Sequence, residues 1–528
     1  MTRVAHPRAV IALVWTGLFM TTLDASIVNI GLPTIARAFG APLSGTIEWV
    51  IIGYLVVAAA LLLTVGRLSD MVGRTPIWMT GLGLFTLASV LCGAAPSVQL
   101  LIGARVLQGA GAALLLATGT AMLTDAVPAG QRGRVLGLGA VAIALGTSVG
   151  PTLGGLITEH LSWRWIFYVN LPVGLVAFAT ALRVLPPAAG RKQGRFDPVG
   201  ALLLGVGVAA LTLGLSFSVE WGWASPRLLG TLAIGVVALA GALISERHAA
   251  DPILDLELFR DRVFSSAIAS MTLSMLALFS VGFLLPFYFE ELRGFSTAHS
   301  GWLLTPTPLA LAIVAPIAGA ASDRLGSRLI APLGLAVNAV ALFLLARLDA
   351  TSSTWDIVWR LALAGIGQGL FQAPNTRALM EAAPATDQGA ASGLLATARI
   401  TGQALSVAVA GAVFLGLGGS AGAALLAHRA SGGNLSSMAA DQLESTFLHA
   451  FRAALTVCSA FAAVGALAAL VRGRERRSSA AVATPSVGGA AESKRPAPKC
   501  DTLATTPRHR TDPSISGSAI ECMSGPEH

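Results

Sequence analysis

The sequence predicts an all-α membrane protein with about fourteen helices crossing a bilayer, and three observations support this. Of 528 residues, 54% are hydrophobic and only 12% charged, with a mean hydropathy of +0.72. A water-soluble chain of this size needs far more polar surface. Apolar runs of about twenty residues recur along nearly the whole length, each long enough to cross a hydrocarbon core of roughly 30 Å. A short Gly, Ser-Asp, Gly, Arg pattern also occurs twice, at matching places in the two halves.

The expected spans are 9–32, 46–65, 77–95, 98–122, 135–157, 165–185, 199–218, 228–246, 264–287, 301–321, 329–346, 358–377, 390–416 and 448–471. Arg3 and Arg8 precede an apolar run that continues to Leu32. That run is too long for a signal-peptide core, so it reads as a retained first span. Alternate loops are rich in basic residues: Arg67 and Arg74, Arg132 and Arg134, Arg191, Lys192 and Arg195, Arg247, Arg260 and Arg262, Arg324 and Arg328, then Arg472, Arg474, Arg476 and Arg477. The other loops hold mostly single arginines, namely Arg164, Arg227, Arg293 and Arg429. The positive-inside bias therefore places both termini in the cytoplasm and the chain in the cytoplasmic membrane.

The repeat divides the chain. Gly66-Arg-Leu-Ser-Asp-Met-Val-Gly-Arg74 follows the second span, and Gly319-Ala-Ala-Ser-Asp-Arg-Leu-Gly-Ser-Arg328 follows the tenth. Turn chemistry alone explains either loop, but not the same order at equivalent places in both halves. The expected plan is a six-helix bundle over 1–185, a linker with two additional spans over 186–262 and a second six-helix bundle over 263–471. Residues 472–528, rich in Arg, Ser, Pro and Thr, are expected to form a disordered cytoplasmic tail.

Composition also excludes several functions. The net charge of +8 comes from loop and tail arginines, so it is no nucleic-acid signature. Cys92, Cys458, Cys500 and Cys522 show no metal or disulfide spacing. No phosphate-cradling Gly-x-x-x-x-Gly-Lys-[Ser/Thr] loop occurs, so this chain is not expected to be an ATPase or to carry a cofactor. Energy must come from an ion gradient or from a separate subunit.

Asp24 is the acid that falls well inside a span, about eight residues or roughly 12 Å from the end of 9–32. Glu48, Asp125, Glu159, Glu290 and Glu291 fall at span ends. A carboxylate at that depth must be paired, hydrated or protonated, which fits proton exchange or a fixed packing contact. Arg105 lies at similar depth in the fourth span. It can pair with Asp24 or snorkel to the interface. In the fifth span, Gly146, Gly150, Pro151, Gly154 and Gly155 form a small-residue stripe that lets helices approach closely. Asp70, Gly73 and Arg74, with Asp323 in the second copy, are candidates for a latch between conformations or for plain helix caps. Asn29, Trp49, Tyr54, Gln108, Gln368, Gln372 and the second intramembrane cation, Arg399, are candidates for a substrate pathway. Trp49 serves equally as an interfacial anchor, and polar helix–helix contacts explain the glutamines as well.

Together these motifs resemble the major facilitator superfamily, specifically its fourteen-helix drug:proton antiporters, over about residues 9–471. Leu23-Asp-Ala-Ser-Ile-Val-Asn-Ile-Gly-Leu-Pro-Thr-Ile35 resembles that group's first-helix motif, which implies a proton-coupling role for Asp24. Gly66 to Arg74 resembles the superfamily loop, with Met71 where a basic residue is usual. Arg105-Val-Leu-Gln-Gly-Ala-Gly111 resembles the fourth-helix motif linked to proton transfer, and Gly146 to Gly155 the antiporter motif of exporters. The resemblance implies alternating-access export of a lipophilic drug or antibiotic by a monomer driven by protons. A proton-coupled uptake symporter of the same fold is the alternative.

Overall fold

The computed structural model describes residues 7–40, 45–127, 132–185, 198–248, 256–383, 388–421 and 437–472. The helices are α1 Pro7–Ala38, α2 Gly45–Val72, α3 Arg74–Ala94, α4 Val98–Asp125, α5 Arg132–His160, α6 Trp165–Tyr168, α7 Asn170–Val184, α8 Pro198–Ser216, α9 Ser218–Trp221 and α10 Pro226–His248. After a 3-10 turn at Leu256–Arg260 come α11 Arg262–Phe287, a π-helical turn Tyr288–Leu292, α12 Thr297–Leu304, α13 Pro306–Leu325, α14 Ser327–Leu345, α15 Thr354–Ala382, α16 Gln388–Gly416 and α17 Ser437–Leu470. No strand is present among the described residues. Helix starts follow local chemistry. Ser97, Asp261, Ser296 and Ser353 each accept a backbone N–H of the turn they open.

Among the described residues, eleven helices are long and apolar enough to cross a membrane. Among the described residues α2 contains the shorter apolar segment Thr46–Leu62, and α15 carries Arg360, Gln368, Gln372, Asn375 and Arg377 along its length. The run 165–185 is one apolar crossing, Trp165–Val184, in which Val169 links α6 to α7 in right-handed helical conformation, and 301–321 begins earlier, with Thr305 linking α12 to α13 in the same way. The first helix is longer than expected because Pro33 lies within it without ending it. Asp24 is thus fourteen residues from the helix end, roughly 21 Å rather than 12 Å.

The repeat is visible in geometry. Instead of open turns, both motifs finish a helix, and a single glycine reverses the chain: Gly73 at φ 109° and Gly326 at φ 82°. Only glycine adopts such angles without strain. Ser69 and Ser322 each donate to the glycine carbonyl three residues earlier at 2.7 Å. Gly73 and Gly326 each donate a 2.9 Å bond back to that serine's carbonyl. The side chains of Asp70 and Asp323 lie outside the described residues, and so does the segment 473–528. Arg74 pairs with Asp125 of α4 and donates, at 3.2 Å, to the carbonyl of Ala121.

Helices α1–α7 pack mainly among themselves, as do α11–α17, while α8 lies along both α2 and α16. The halves meet at the end where α1 finishes and α2 begins. Arg37 pairs with Glu290 at 2.5 Å, and the Thr152 and Thr305 hydroxyls bond at 2.8 Å. The Ala298 N–H donates to Glu159 at 2.9 Å. That bond holds the Glu159 carboxyl below the ordinary carboxylate range, so the contact persists at neutral pH and is lost as pH falls through the lowered value. Sequence position put Glu48, Glu290 and Glu291 at span ends; all three are buried, with Arg37 on Glu290 and Gly411 against Glu48 across this seam.

Candidate functional site

Asp24 and Arg105 are 0% and 1% exposed and pair directly, Nη1 to Oδ2 at 2.5 Å. Neither charge stands alone. Gln108, one turn after Arg105, donates to Asp24 Oδ1 at 2.7 Å while its own Oε1 accepts Arg105 Nη1 at 2.6 Å. Asn170, the first residue of α7, donates to the same Oδ1 at 2.9 Å. Ser89 of α3 receives the second Gln108 N–H at 2.8 Å. Arg105 Nε donates to the Val50 carbonyl of α2 at 2.8 Å, and its guanidinium lies 4.4 Å from the centre of the Tyr54 ring. Five helices thus converge on one carboxylate that accepts three hydrogen bonds. A buried ion pair offsets its desolvation only when such donors complete it.

Local packing builds this site. Gly109 lies against the Tyr54 backbone, where a side chain would collide, so α2 and α4 approach closely. Tyr54 therefore forms the wall of the ion pair, with its hydroxyl on the Thr21 carbonyl at 3.3 Å, rather than the face of an open pathway. Asn170 was missed by sequence reasoning. A lone amide within the apolar stretch 165–185 was the available signal.

The glycine motif of α5 has two faces. Gly146, Gly150 and Gly154, four residues apart, lie against α1 at Thr22, Ser26 and Ile27. Ser26 donates to the Gly146 carbonyl at 3.1 Å. Gly155 instead faces the Thr297 and Ala298 backbone of α12, and Pro151's carbonyl fits the space left by Gly301. One short motif therefore packs onto the helix that carries Asp24 and, from its other side, onto the second half of the molecule.

The sequence profile of the Major Facilitator Superfamily matches residues 14–407. The chain belongs to that superfamily. Multidrug resistance protein Stp of Mycobacterium tuberculosis is 35% identical, with 75% of this chain and 74% of that protein covered. Riboflavin transporter RibZ of Clostridioides difficile is 33% identical, with 76% and 86% covered. In fold, this facilitator is similar to a bacterial homologue of the lysosomal transporter Spinster solved in an inward-facing, unoccupied conformation. The TM-score is 0.62 at 14% identity, with 88% of this chain and 97% of that one covered.

The second half of this facilitator holds a neutral counterpart to the ion-pair site. Gln368 of α15 occupies a Gln-Gly step like that of Gln108 in α4. It accepts Ser274 of α11 at 2.9 Å and Asn338 of α14 at 3.0 Å. Gln368 is buried there, inside the half, and so does not line a path between the halves. Gln372, one turn on, is half-buried. Asn29 is buried opposite Gly282 of α11, and Trp49 is half-buried with its indole N–H unbonded. Arg399 is half-buried eleven residues after the start of α16.

Proposed function

We propose that this facilitator exports a lipophilic small molecule across the cytoplasmic membrane by alternating access, exchanging it for protons at Asp24 and using no cofactor. The observation that carries the reading is the buried Asp24 carboxylate, neutralised by Arg105, on the helix that packs against the α5 glycine stripe. A proton arriving on Asp24 removes the negative partner of Arg105 and leaves an uncompensated guanidinium in a dry interior, a state worth several kcal/mol of rearrangement. Ser26 and Ile27, two and three residues after Asp24, sit on Gly150 and Gly154. A shift of α1 is therefore passed to α5 and to its seam with α12. The kinship with a protein named for multidrug resistance supports drug or antibiotic as cargo. With the N-terminus in the cytoplasm, the seam described above is the outer one.

The deciding measurement is proton-dependent flux in inverted vesicles. An imposed proton gradient should drive uptake of a lipophilic probe into them, and release in response to the same gradient would mean import. That second reading is a proton-coupled uptake symporter, and the kinship with a protein named a riboflavin transporter supports a small metabolite as its cargo. Arg105→Lys keeps the charge but loses the fork that reaches Val50 and Asp24 together, so the transport rate should fall roughly tenfold or more while the protein stays folded.

A further inference from the structure

Glu48, in the first turn of α2, is 1% exposed, and neither of its carboxyl oxygens has a hydrogen-bond partner among the described residues. Its carboxyl fills a niche on α16 that exists only because residue 411 is glycine; a methyl group there would coincide with it. The groups around it offer no compensation. From α9, the carboxylate that faces it is Glu220. Arg105 of α4 reaches the same helix at Val50, but its guanidinium is committed to Asp24 and Gln108. The packed length of α8 carries no charge, and the charged residue of α16 within 393–416 is Arg399, twelve residues before Gly411.

An ionised carboxylate in such a niche costs several kcal/mol with nothing to offset it. We propose that Glu48 is a second proton-binding site, separate from Asp24, that must be neutral for the two halves to join at this seam. Joining the halves around Glu48 takes up a proton. Parting them wets the carboxyl and releases the proton to the same side it came from. Glu48 therefore makes the seam sensitive to the pH on that side without adding to the protons carried across. By sign, the joined state is favoured in acid and lost as pH rises. The inference rests on the alternating-access reading.

The test uses the full chain in lipid nanodiscs. Spin labels are placed at Leu161→Cys, on the exposed turn after α5, and at Thr351→Cys, on the exposed turn after α14. Cys500 and Cys522 are replaced by serine, and the buried Cys92 and Cys458 are retained. Double electron–electron resonance should show the short-distance fraction falling at least about twofold between roughly pH 5.5 and roughly pH 8.5. Glu48→Gln should stay short across that range. Glu48→Ala, which removes the group altogether, should likewise lose the parent's pH response. Residual slope from Glu159, Glu290 and Glu291 is common to all three proteins, so the difference between parent and variants is what counts. The same pH response in Glu48→Gln as in the parent overturns the proposal, and so does a parent whose distances ignore pH. Flux driven through Asp24 is read separately in vesicles, so failure of the transport reading is distinguishable from failure of this one.

Discussion

Replacing Asp24 with asparagine should abolish gradient-driven transport, leaving proteoliposomes no faster than protein-free ones. Asparagine matches the carboxylate in shape and can still accept Gln108 and Asn170 on its oxygen. Its amide nitrogen then faces Arg105 Nη1, donor against donor, where Oδ2 now accepts at 2.5 Å. A buried guanidinium left unpaired costs about 3–5 kcal/mol, so the single variant should also melt early. That stability loss could mimic a functional one, and a second substitution separates them. Asp24→Asn combined with Arg105→Gln removes both charges and should recover most of the lost stability, because replacing both members of a buried pair is nearly neutral. It should recover none of the transport, since no group remains to carry the proton. Melting temperature and flux on the same preparations check both arms. Transport regained in the double variant would take proton coupling away from Asp24.

How much of this was legible in sequence depended on whether the physics was local. Hydropathy set the approximate places of the crossing helices, because lipid penalises any unsatisfied backbone over twenty residues. The reversals at Gly73 and Gly326 were legible too, since a positive φ falls almost by default on glycine. Depth counted from the expected span ends of two oppositely directed helices put Asp24 and Arg105 at a similar level, and the two side chains do pair. Depth cannot name a third or fourth partner, however. Asn170 and Gln108 reach Asp24 through packing between elements far apart in sequence, with Gly109 letting α2 close on α4. Helix ends were the weakest reading. Pro33 sits where a sequence reading stops α1, but a long membrane helix carries it. The burial of Glu48, Glu290 and Glu291 was invisible for a different reason. Each lies near a helix end, where water is the default neighbour, and what covers it belongs to an element hundreds of residues away. Tyr54 followed the same pattern: its type suited a ligand contact, and the backbone packing at Gly109 made it part of the ion-pair wall.

The α5 motif offers the sharpest separation between holding a half together and joining two halves. Valine at Gly150 would drive its side chain into Ser26 of α1, inside the first bundle, where a hydrogen bond from Ser26 to Gly146 already fixes the spacing. Overpacking a tight interior typically costs about 1–3 kcal/mol, so Gly150→Val should lower the melting temperature and the folded yield, with transport falling in proportion. Valine at Gly155 meets a different surface. Its Cβ would lie 2.9 Å from the Ala298 Cα and closer still to the Thr297 carbonyl, which are backbone atoms that cannot swing aside. Those atoms belong to the other half. Gly155→Val should therefore leave each bundle intact and the melting temperature near that of the parent, while preventing the halves from closing at this end. Transport should cease, and the label pair across the seam should report long distances at every pH. A two-state transporter that cannot reach one of its states turns over nothing, however stable the other remains. Full transport by Gly155→Val would show that the contact between α5 and α12 is incidental to the cycle, and that the seam seen here closes by some other path.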